Sequence, residues 1–360
     1  MADSASAASS SGREISEKPS RGVAASELAF GLQHMFGMDH YQGANLDKLR
    51  PADLERLLRC FERASESVRG AIAREKIERA VAAEYSTARP QLADWARSSH
   101  EMLLSPGIVE FLSRPPSLGV LARRCGCEEV APWLYKVDLL RPDACELVLQ
   151  EAEHHAAWVR GIAERGSTES GVGVEAMPAA FWARTAVLRR CGLQDLEALL
   201  LRIARDVAAL LYPALCGIDS DDGSGGLDWS FGYVASYKQT GDAGRSALLG
   251  EGTRKGLVSH TDDSEVTLNV CLGREYEGGE LLMRGLRETR DEGAITADVR
   301  LRPGQALIHL GQHLHSVSDV TSGERHHLIV WTRSSHYRGS SCPCCILHRR
   351  TSCVCDAAWN

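Results

Sequence analysis

The hydrophobic pattern changes its period partway along this chain, and this change constrains the fold more than any other feature of the sequence. From Ser26 to about Leu112 apolar residues recur at helical spacing, and Leu193–Leu215 predicts a long amphipathic helix. From Trp229 onward, short runs with strand character are separated by Gly, Pro and charged residues. Helices followed by many short strands predict an α+β fold. We expect a helical N-terminal region followed by a double-stranded β-helix, or jelly roll.

Composition and pattern divide the chain into four predicted segments. Residues 1–25 are of low complexity and predict a disordered tail without a secretory signal, and residues 26–125 predict a helical accessory region. Residues 130–340 predict the functional domain, with its jelly-roll core at 229–335, and residues 341–360 form a Cys-rich tail. No apolar run reaches the ~18 residues of a membrane-spanning helix. We therefore expect a cytoplasmic or nuclear protein without membrane contact, and organelle targeting stays open.

Charge and cysteine content narrow the class of partners. The formal net charge is −7 and the pI is about 6.0, so a general nucleic-acid-binding surface is not expected. The 12 cysteines are expected to be free thiols, because no secretory signal accompanies them. The tail has enough ligands for a structural zinc ion, although a tail of unligated thiols is the alternative. These tail residues are Cys342, Cys344, Cys345, Cys353, Cys355 and His348.

The segment Ser259-His260-Thr261-Asp262 is the first candidate site. Residues two apart on an extended strand point to the same face, so His260 and Asp262 can bind one ion together. A third ligand from a distant strand would complete a facial triad of two histidines and one carboxylate. Such a triad leaves open positions, as non-haem Fe(II) oxygenases require. An isolated H-x-D pair is weak evidence, and its support comes from further along the chain.

His315 and Arg325 supply the missing parts. Thr321-Ser-Gly-Glu between them is typical of a turn, so the chain can return beside the strand that bears His315. The return brings the guanidinium of Arg325 near the metal, where a planar cation suits capture of the distal carboxylate of a dicarboxylate. A surface ion pair is the alternative for Arg325. The apolar run Leu328–Trp331 that follows favours a buried, functional arginine.

These motifs resemble the iron(II)- and 2-oxoglutarate-dependent dioxygenase superfamily, in its prolyl 4-hydroxylase-like branch with the PKHD-type hydroxylases. The resemblance rests on H-x-D, on Gly278-Gly279-Glu280-Leu281 and on H-x-V-x-x-V-x-x-G-x-R, and it covers roughly residues 133–345. It implies Fe(2+), 2-oxoglutarate and L-ascorbate as cofactors. It also implies that His260, Asp262 and His315 bind iron and that Arg325 pairs with the 2-oxoglutarate carboxylate.

Three further residues are candidates for contact with the cosubstrate. Tyr237 is similar to a tyrosine that lies near 2-oxoglutarate in some members of the superfamily. Thr267 and Asn269 share a strand face, so both can reach the cosubstrate or its water if that face lines the cavity. A packed strand face with local hydrogen bonds is the alternative. Other histidines compete with His315 for the role of distal ligand, namely His309, His313, His326 and His327.

The resemblance implies oxidative decarboxylation of 2-oxoglutarate to succinate, coupled to hydroxylation of a substrate. We expect a protein side chain, prolyl or lysyl, as the substrate, with a small molecule or a nucleic acid as alternatives, because one site serves many substrates in such folds. A non-catalytic jelly-roll binding module and a cupin-like metalloenzyme without 2-oxoglutarate are the other classes. The intact triad argues against the first of these, and Arg325 argues against both.

Overall fold

A computed structural model describes residues 50–170, 186–213, 226–239, 255–287 and 293–340. The chain divides into two compact units, residues 1–69 and residues 70–360. The predicted disordered tail and the predicted Cys-rich tail, with its zinc ligands, lie outside the described residues. Across the described ranges, no helix combines the length and the apolar character needed to cross a membrane.

Helices dominate the described chain up to residue 211. Two short helices begin with a serine cap. The hydroxyl of Ser105 accepts a hydrogen bond from Ile108 N, and that of Ser117 accepts one from Val120 N. The helices are α1 (Pro51–Glu84), α2 (Gln91–Ser98), α3 (Pro106–Leu112), α4 (Leu118–Arg124), α5 (Pro142–Ser170), α6 (Gln194–Leu211) and α7 (Ser335–Ser340).

Most of the strands follow the change of hydrophobic period. Two come early, between the helices, and nine lie beyond residue 228. The strands are β1 (Glu128–Ala131), β2 (Leu134–Asp138), β3 (Trp229–Lys238), β4 (Leu257–His260), β5 (Val266–Gly273), β6 (Tyr276–Gly278), β7 (Leu281–Leu286), β8 (Ile295–Val299), β9 (Gln305–Leu310), β10 (His313–Val317) and β11 (Val320–Arg333).

The strands form two antiparallel sheets. The larger has the order β1-β2-β9-β5-β11-β3, with β6 paired to β11, and the smaller has the order β4-β10-β7-β8. The chain passes repeatedly from one sheet to the other, for example from β9 to β10 and back to β11. The predicted α+β fold with a C-terminal jelly roll is confirmed.

Burial explains why β5 is apolar except at Thr267 and Asn269. All eight of its residues are buried, because β5 lies between β9 and β11 in the larger sheet and both of its faces are covered. One cluster of buried apolar residues joins Val266, Leu268 and Val270 of β5 to side chains of α5 and α6. The helices therefore pack on one face of the larger sheet. The other face carries the polar residues of the candidate site.

The helices of residues 91–124 contribute to the same apolar cluster. Leu92, Ile108, Phe111 and Leu121 are buried with side chains of the larger sheet. The sequence predicts an accessory region that ends at residue 125, and this boundary stays a prediction.

Candidate metal centre

Three predicted ligands converge between the two sheets. β4 and β10 pair with His260 opposite His315, and Asp262 follows β4 by two residues. The Nε2 atoms of His260 and His315 lie 3.6 and 3.7 Å from Asp262 Oδ1. One ligand atom from each residue lies within 4.8 Å of the others. The structure thus brings together residues that are 55 positions apart in sequence, in a cluster of the size that one metal ion would bridge.

Hydrogen bonds fix which nitrogen of each histidine faces the cluster. His260 Nδ1 lies 2.9 Å from the carbonyl oxygen of Val258, and His315 Nδ1 lies 2.9 Å from that of His313. A carbonyl only accepts, so each Nδ1 carries the proton and donates it. Each Nε2 is then unprotonated, and its lone pair is directed toward the side of the cluster where Asp262 lies. This arrangement, in which the remote nitrogen donates to a backbone carbonyl, is typical of metal-binding histidines.

Burial keeps His315 neutral. Desolvation lowers the pKa of His315 to about 4, although the nearby Asp262 carboxylate opposes this shift. The close contacts between His315 and Asp262 are therefore not those of a charged pair at neutral pH. Two imidazole lone pairs and one carboxylate oxygen form a set of donors that suits a divalent transition metal. The residues present fit the iron ion that the sequence resemblance implies.

The competing histidines occupy other positions. β9 ends at Leu310 and β10 begins at His313, so the break at Gly311-Gln312 separates His309 from the strand of His315. His313 lies on β10 with His315, but the pairing of β10 with β7 shifts register between these two residues. His309 Nε2 approaches the outer oxygen of Asp262, Oδ2, at 3.9 Å. Neither His309 nor His313 joins the ligand cluster found among the described residues. The preference for His315 over its neighbours agrees with this geometry.

The buried histidines predict a pH-dependent stability. Desolvation lowers the pKa of His309, His313 and His315 to about 4, from an ordinary value of 6.5. Between these values the unfolded chain binds more protons than the folded chain, so the free energy of unfolding decreases as the pH falls from about 6.5 toward 4. Each histidine should contribute up to about 2 kcal/mol of this loss between pH 7 and pH 5.

Urea unfolding of the metal-free protein at pH 7 and pH 5 checks this prediction. The control is His313→Asn, because His313 lies outside the ligand cluster. The variant should lose less stability than the native protein between the two pH values. Equal losses in the two proteins would show that His313 is not buried in its neutral form.

Arg325 is the most unusual side chain of the site. It is 1% exposed and is the largest of the fully buried side chains. No carboxylate of the described ranges forms an ion pair with it, and its Nε has no hydrogen-bond partner. It donates to the Tyr276 hydroxyl and lies 5.4 Å from the ring centroid of Tyr237. Desolvation lowers its pKa from the ordinary arginine value. A buried cation without an anion is costly, so the site is suited to an anionic ligand.

Gly279 of the predicted Gly-Gly motif makes room for Arg325. A Cβ at this position would lie 3.0 Å from Arg325 Cδ and 3.0 Å from Val320 Cγ2. The backbone φ of +65° also lies in the left-handed region that favours glycine. The motif therefore has a steric explanation, because a side chain at residue 279 would displace the guanidinium.

The three further candidates lie close to the triad but have different partners. Tyr237 stands opposite Arg325 in the pairing of β3 and β11, and both line the same cavity as the triad. Asn269 also lines this cavity, and its Oδ1 lies 2.6 Å from His327 Nδ1. The hydroxyl of Thr267 instead donates to Asp262 Oδ2 at 2.7 Å. In this structure Thr267 is thus a hydrogen-bond partner of a candidate ligand, and its contact with the cosubstrate stays a prediction.

Several residues of the site were not singled out by the sequence. Tyr233 lines the cavity, and burial raises its pKa far above the ordinary value, with Asp262 adding to the shift. Tyr233 could have been predicted from the sequence, because it is four residues from Tyr237 and this spacing places both side chains on one face of the strand. Ser264 lies 2.7 Å from the hydroxyl of Thr267. His327, which the sequence suggested only as a competitor for the role of distal metal ligand, is buried beside Asn269. For Ser264 and His327 no periodic pattern gives a signal, because their partners come from other strands or from a loop.

Comparison with known proteins gives related sequences but no matching family model. The 2-oxoglutarate and iron-dependent oxygenase domain-containing protein ICU11 of Arabidopsis thaliana is 31% identical over 62% of this chain and 52% of its own length. The human 2-oxoglutarate and iron-dependent oxygenase domain-containing protein 2 is 29% identical over 74% of this chain and 67% of its own length. The chain thus spans about half the length of the plant relative.

Shorter and more distant similarities extend to bacterial proteins. A PKHD-type hydroxylase of Prochlorococcus marinus is 33% identical over 22% of this chain and 32% of its own length. Among solved structures, a prolyl-4-hydroxylase of Pseudomonas putida aligns with 17% identity and a TM-score of 0.26, over 40% of this chain and 62% of that one.

Proposed function

We propose that this chain is a 2-oxoglutarate- and iron-dependent oxygenase that binds Fe(II) through His260, Asp262 and His315. The predicted resemblance to the superfamily is confirmed by the relatives. We assign Arg325 to the distal carboxylate of 2-oxoglutarate. When bound, iron would activate dioxygen, which supplies the oxidising equivalents, and 2-oxoglutarate would be oxidised to succinate and carbon dioxide.

The observation that carries this proposal is that the buried Arg325, in the same cavity as the triad, has no carboxylate partner among the described residues. The three ligands alone would suit many metalloenzymes. A guanidinium that has no carboxylate partner among the described residues, and that lines the same cavity, calls for an anion beside the metal. A dicarboxylate satisfies both requirements, because one end binds the metal and the other forms a two-point pair with the arginine.

The protein residues around the cavity have four tasks in this proposal. Asp262 and the two histidines hold the metal, and Arg325 sets the direction of the cosubstrate. Tyr233 stays protonated at neutral pH, since burial raises its pKa, so it offers a neutral hydroxyl and a ring at the cavity wall. The apolar side chains of Leu281 and Ile329 help to exclude water from the cavity.

We propose a protein side chain, prolyl or lysyl, as the substrate, and L-ascorbate as the reductant that keeps iron in its reduced state. The name of the PKHD-type relative supports a hydroxylase reaction. Residues 241–256 and 284–294 are predicted to flank the cavity mouth, and of these, residues 241–254 and 288–292 lie outside the described residues.

The experiment is a peptide screen with purified protein, Fe(II), 2-oxoglutarate and ascorbate. We expect succinate formation above the level without peptide, and a peptide that gains one oxygen atom on proline or lysine. Mass spectrometry locates the modified residue. Succinate formation with a small molecule, and with none of the peptides, would contradict the proposed substrate class while leaving the oxygenase activity in place.

A further inference from the structure

Asp262 uses its two carboxylate oxygens in different ways. Oδ1 faces His260 Nε2 and His315 Nε2, at 3.6 and 3.7 Å. Oδ2 points away from them and accepts a hydrogen bond of 2.7 Å from the hydroxyl of Thr267. Asp262 and Thr267 are both almost fully buried, so water does not compete for this bond. The hydrogen bond therefore distinguishes the two oxygens before any metal binds.

Ser264 adds a second hydroxyl to the hydrogen bond between Thr267 and Asp262. Its Oγ lies 2.7 Å from Thr267 Oγ1, and Ser264 is fully buried. A hydroxyl has one proton, and Thr267 donates its proton to Asp262. Ser264 must then donate to Thr267. The result is a directed chain of two hydroxyls, Ser264 to Thr267 to Asp262, which ends on the outer carboxylate oxygen.

The backbone holds the chain of hydroxyls in place. Asp262 N donates to Gly311 O at 2.8 Å, and Gly311 N donates to Glu265 O at 3.1 Å. A Cβ at Gly311 would lie 1.9 Å from Ser264 O, so the loop passes against Gly311 more closely than any side chain permits. Thr267 lies on the central strand β5, opposite His309 of β9 and Trp331 of β11. Loop and strand thus fix both hydroxyls relative to Asp262.

We propose that Ser264 and Thr267 are positioning residues that make Asp262 a one-oxygen metal ligand, an inference that rests on the proposed function. A carboxylate can bind a metal through one oxygen or through both. With both, it would take a coordination position that the cosubstrate or dioxygen needs, since the facial triad works by leaving positions open. The hydrogen bond from Thr267 engages Oδ2 and keeps that position free. It also holds the carboxylate in the orientation that binding requires.

The test measures metal binding and coordination, so it does not depend on turnover. Thr267→Val keeps the shape of the side chain and removes the hydroxyl, whereas Thr267→Ser keeps the hydroxyl. The matched control is Thr332→Val. Thr332 is also a fully buried threonine of the larger sheet, and its hydroxyl donates to Val266 O at 2.7 Å, with no contact to Asp262. The probe is Co(II), titrated into each protein and followed by its visible absorption.

We expect Thr267→Val to weaken Co(II) binding by on the order of 10- to 100-fold, the usual effect of removing the partner of a ligand. Its bound spectrum should also change, because the carboxylate is free to bind through both oxygens. Ser264→Ala should weaken binding less, and Thr267→Ser and Thr332→Val should resemble the native protein in both affinity and spectrum.

Two results would overturn the inference. One is native affinity and a native spectrum in Thr267→Val. The other is an equal loss in Thr332→Val, which would show that removing any buried hydroxyl from this sheet disturbs the site. Native protein that binds no Co(II) would be a different failure, because it would overturn the proposed function and this inference with it.

Discussion

An Arg325→Leu variant should lose 2-oxoglutarate binding and, at the same time, become more resistant to unfolding. The guanidinium is buried, and none of the described carboxylates pairs with it. In the ligand-free protein it contributes a desolvated charge, and an uncharged, apolar leucine removes that cost. We expect the free energy of unfolding to rise by about 1–3 kcal/mol. Chemical denaturation of the ligand-free protein measures this change.

Loss of the charged pair with the cosubstrate has the opposite effect on binding. Removing one partner of a buried, hydrogen-bonded charge pair costs about 2–5 kcal/mol. This corresponds to a loss of affinity of roughly 30-fold to several thousand-fold. A calorimetric titration of 2-oxoglutarate in the presence of metal measures it. Metal binding itself should remain native, because Arg325 is absent from the ligand cluster.

Arg300→Leu is the matched control for this variant. Arg300 is exposed and pairs with Glu280 at 2.8 Å, close to the same Gly-Gly motif. An exposed pair contributes little, so both stability and cosubstrate affinity should stay close to native. If Arg325→Leu destabilised the protein and left 2-oxoglutarate affinity unchanged, Arg325 would be a structural residue of the core.

The sequence predicted those site residues whose spacing reflects the regular geometry of a strand. His260 and Asp262 are two apart, and a two-residue spacing at a strand end places both on one side. The turn predicted between His315 and Arg325 is wrong, because residues 321–324 belong to β11 and pair with β6, and Arg325 reaches the cavity from the larger sheet. For His260 and Asp262 the relevant geometry is local. The fold class follows for the same reason, from the change of hydrophobic period.

The partners of these residues could not be predicted in this way. Thr267 shares a strand with Asn269, and the sequence therefore suggested one role for both. In the structure Asn269 lines the cavity, whereas the hydroxyl of Thr267 donates a hydrogen bond to the outer oxygen of Asp262. The difference arises from the loop between β4 and β5, which turns Asp262 back over the start of β5. Contacts set by such loops depend on tertiary packing, and hydrophobic periodicity carries no information about them.

A His260→Ala/Asp262→Ala double variant should lose metal binding and all succinate formation. Two of the three ligands disappear, and the remaining His315 offers a single nitrogen. The fold should persist, because His260 is partly exposed and both residues lie at the end of an edge strand or just beyond it. Circular dichroism checks the fold. Succinate formation at the native rate in the double variant would contradict this prediction, because the metal would then be bound elsewhere.

The central claim is that one cavity holds the metal and the dicarboxylate together. Calorimetric titration of 2-oxoglutarate into the native protein, with and without Mn(II) under anaerobic conditions, tests it most directly, with the double variant in parallel. We predict one equivalent of 2-oxoglutarate bound per chain, with affinity that increases strongly when metal is present and that does not respond to metal in the double variant. Binding of 2-oxoglutarate that is identical with and without metal, or no binding at all, would contradict the claim.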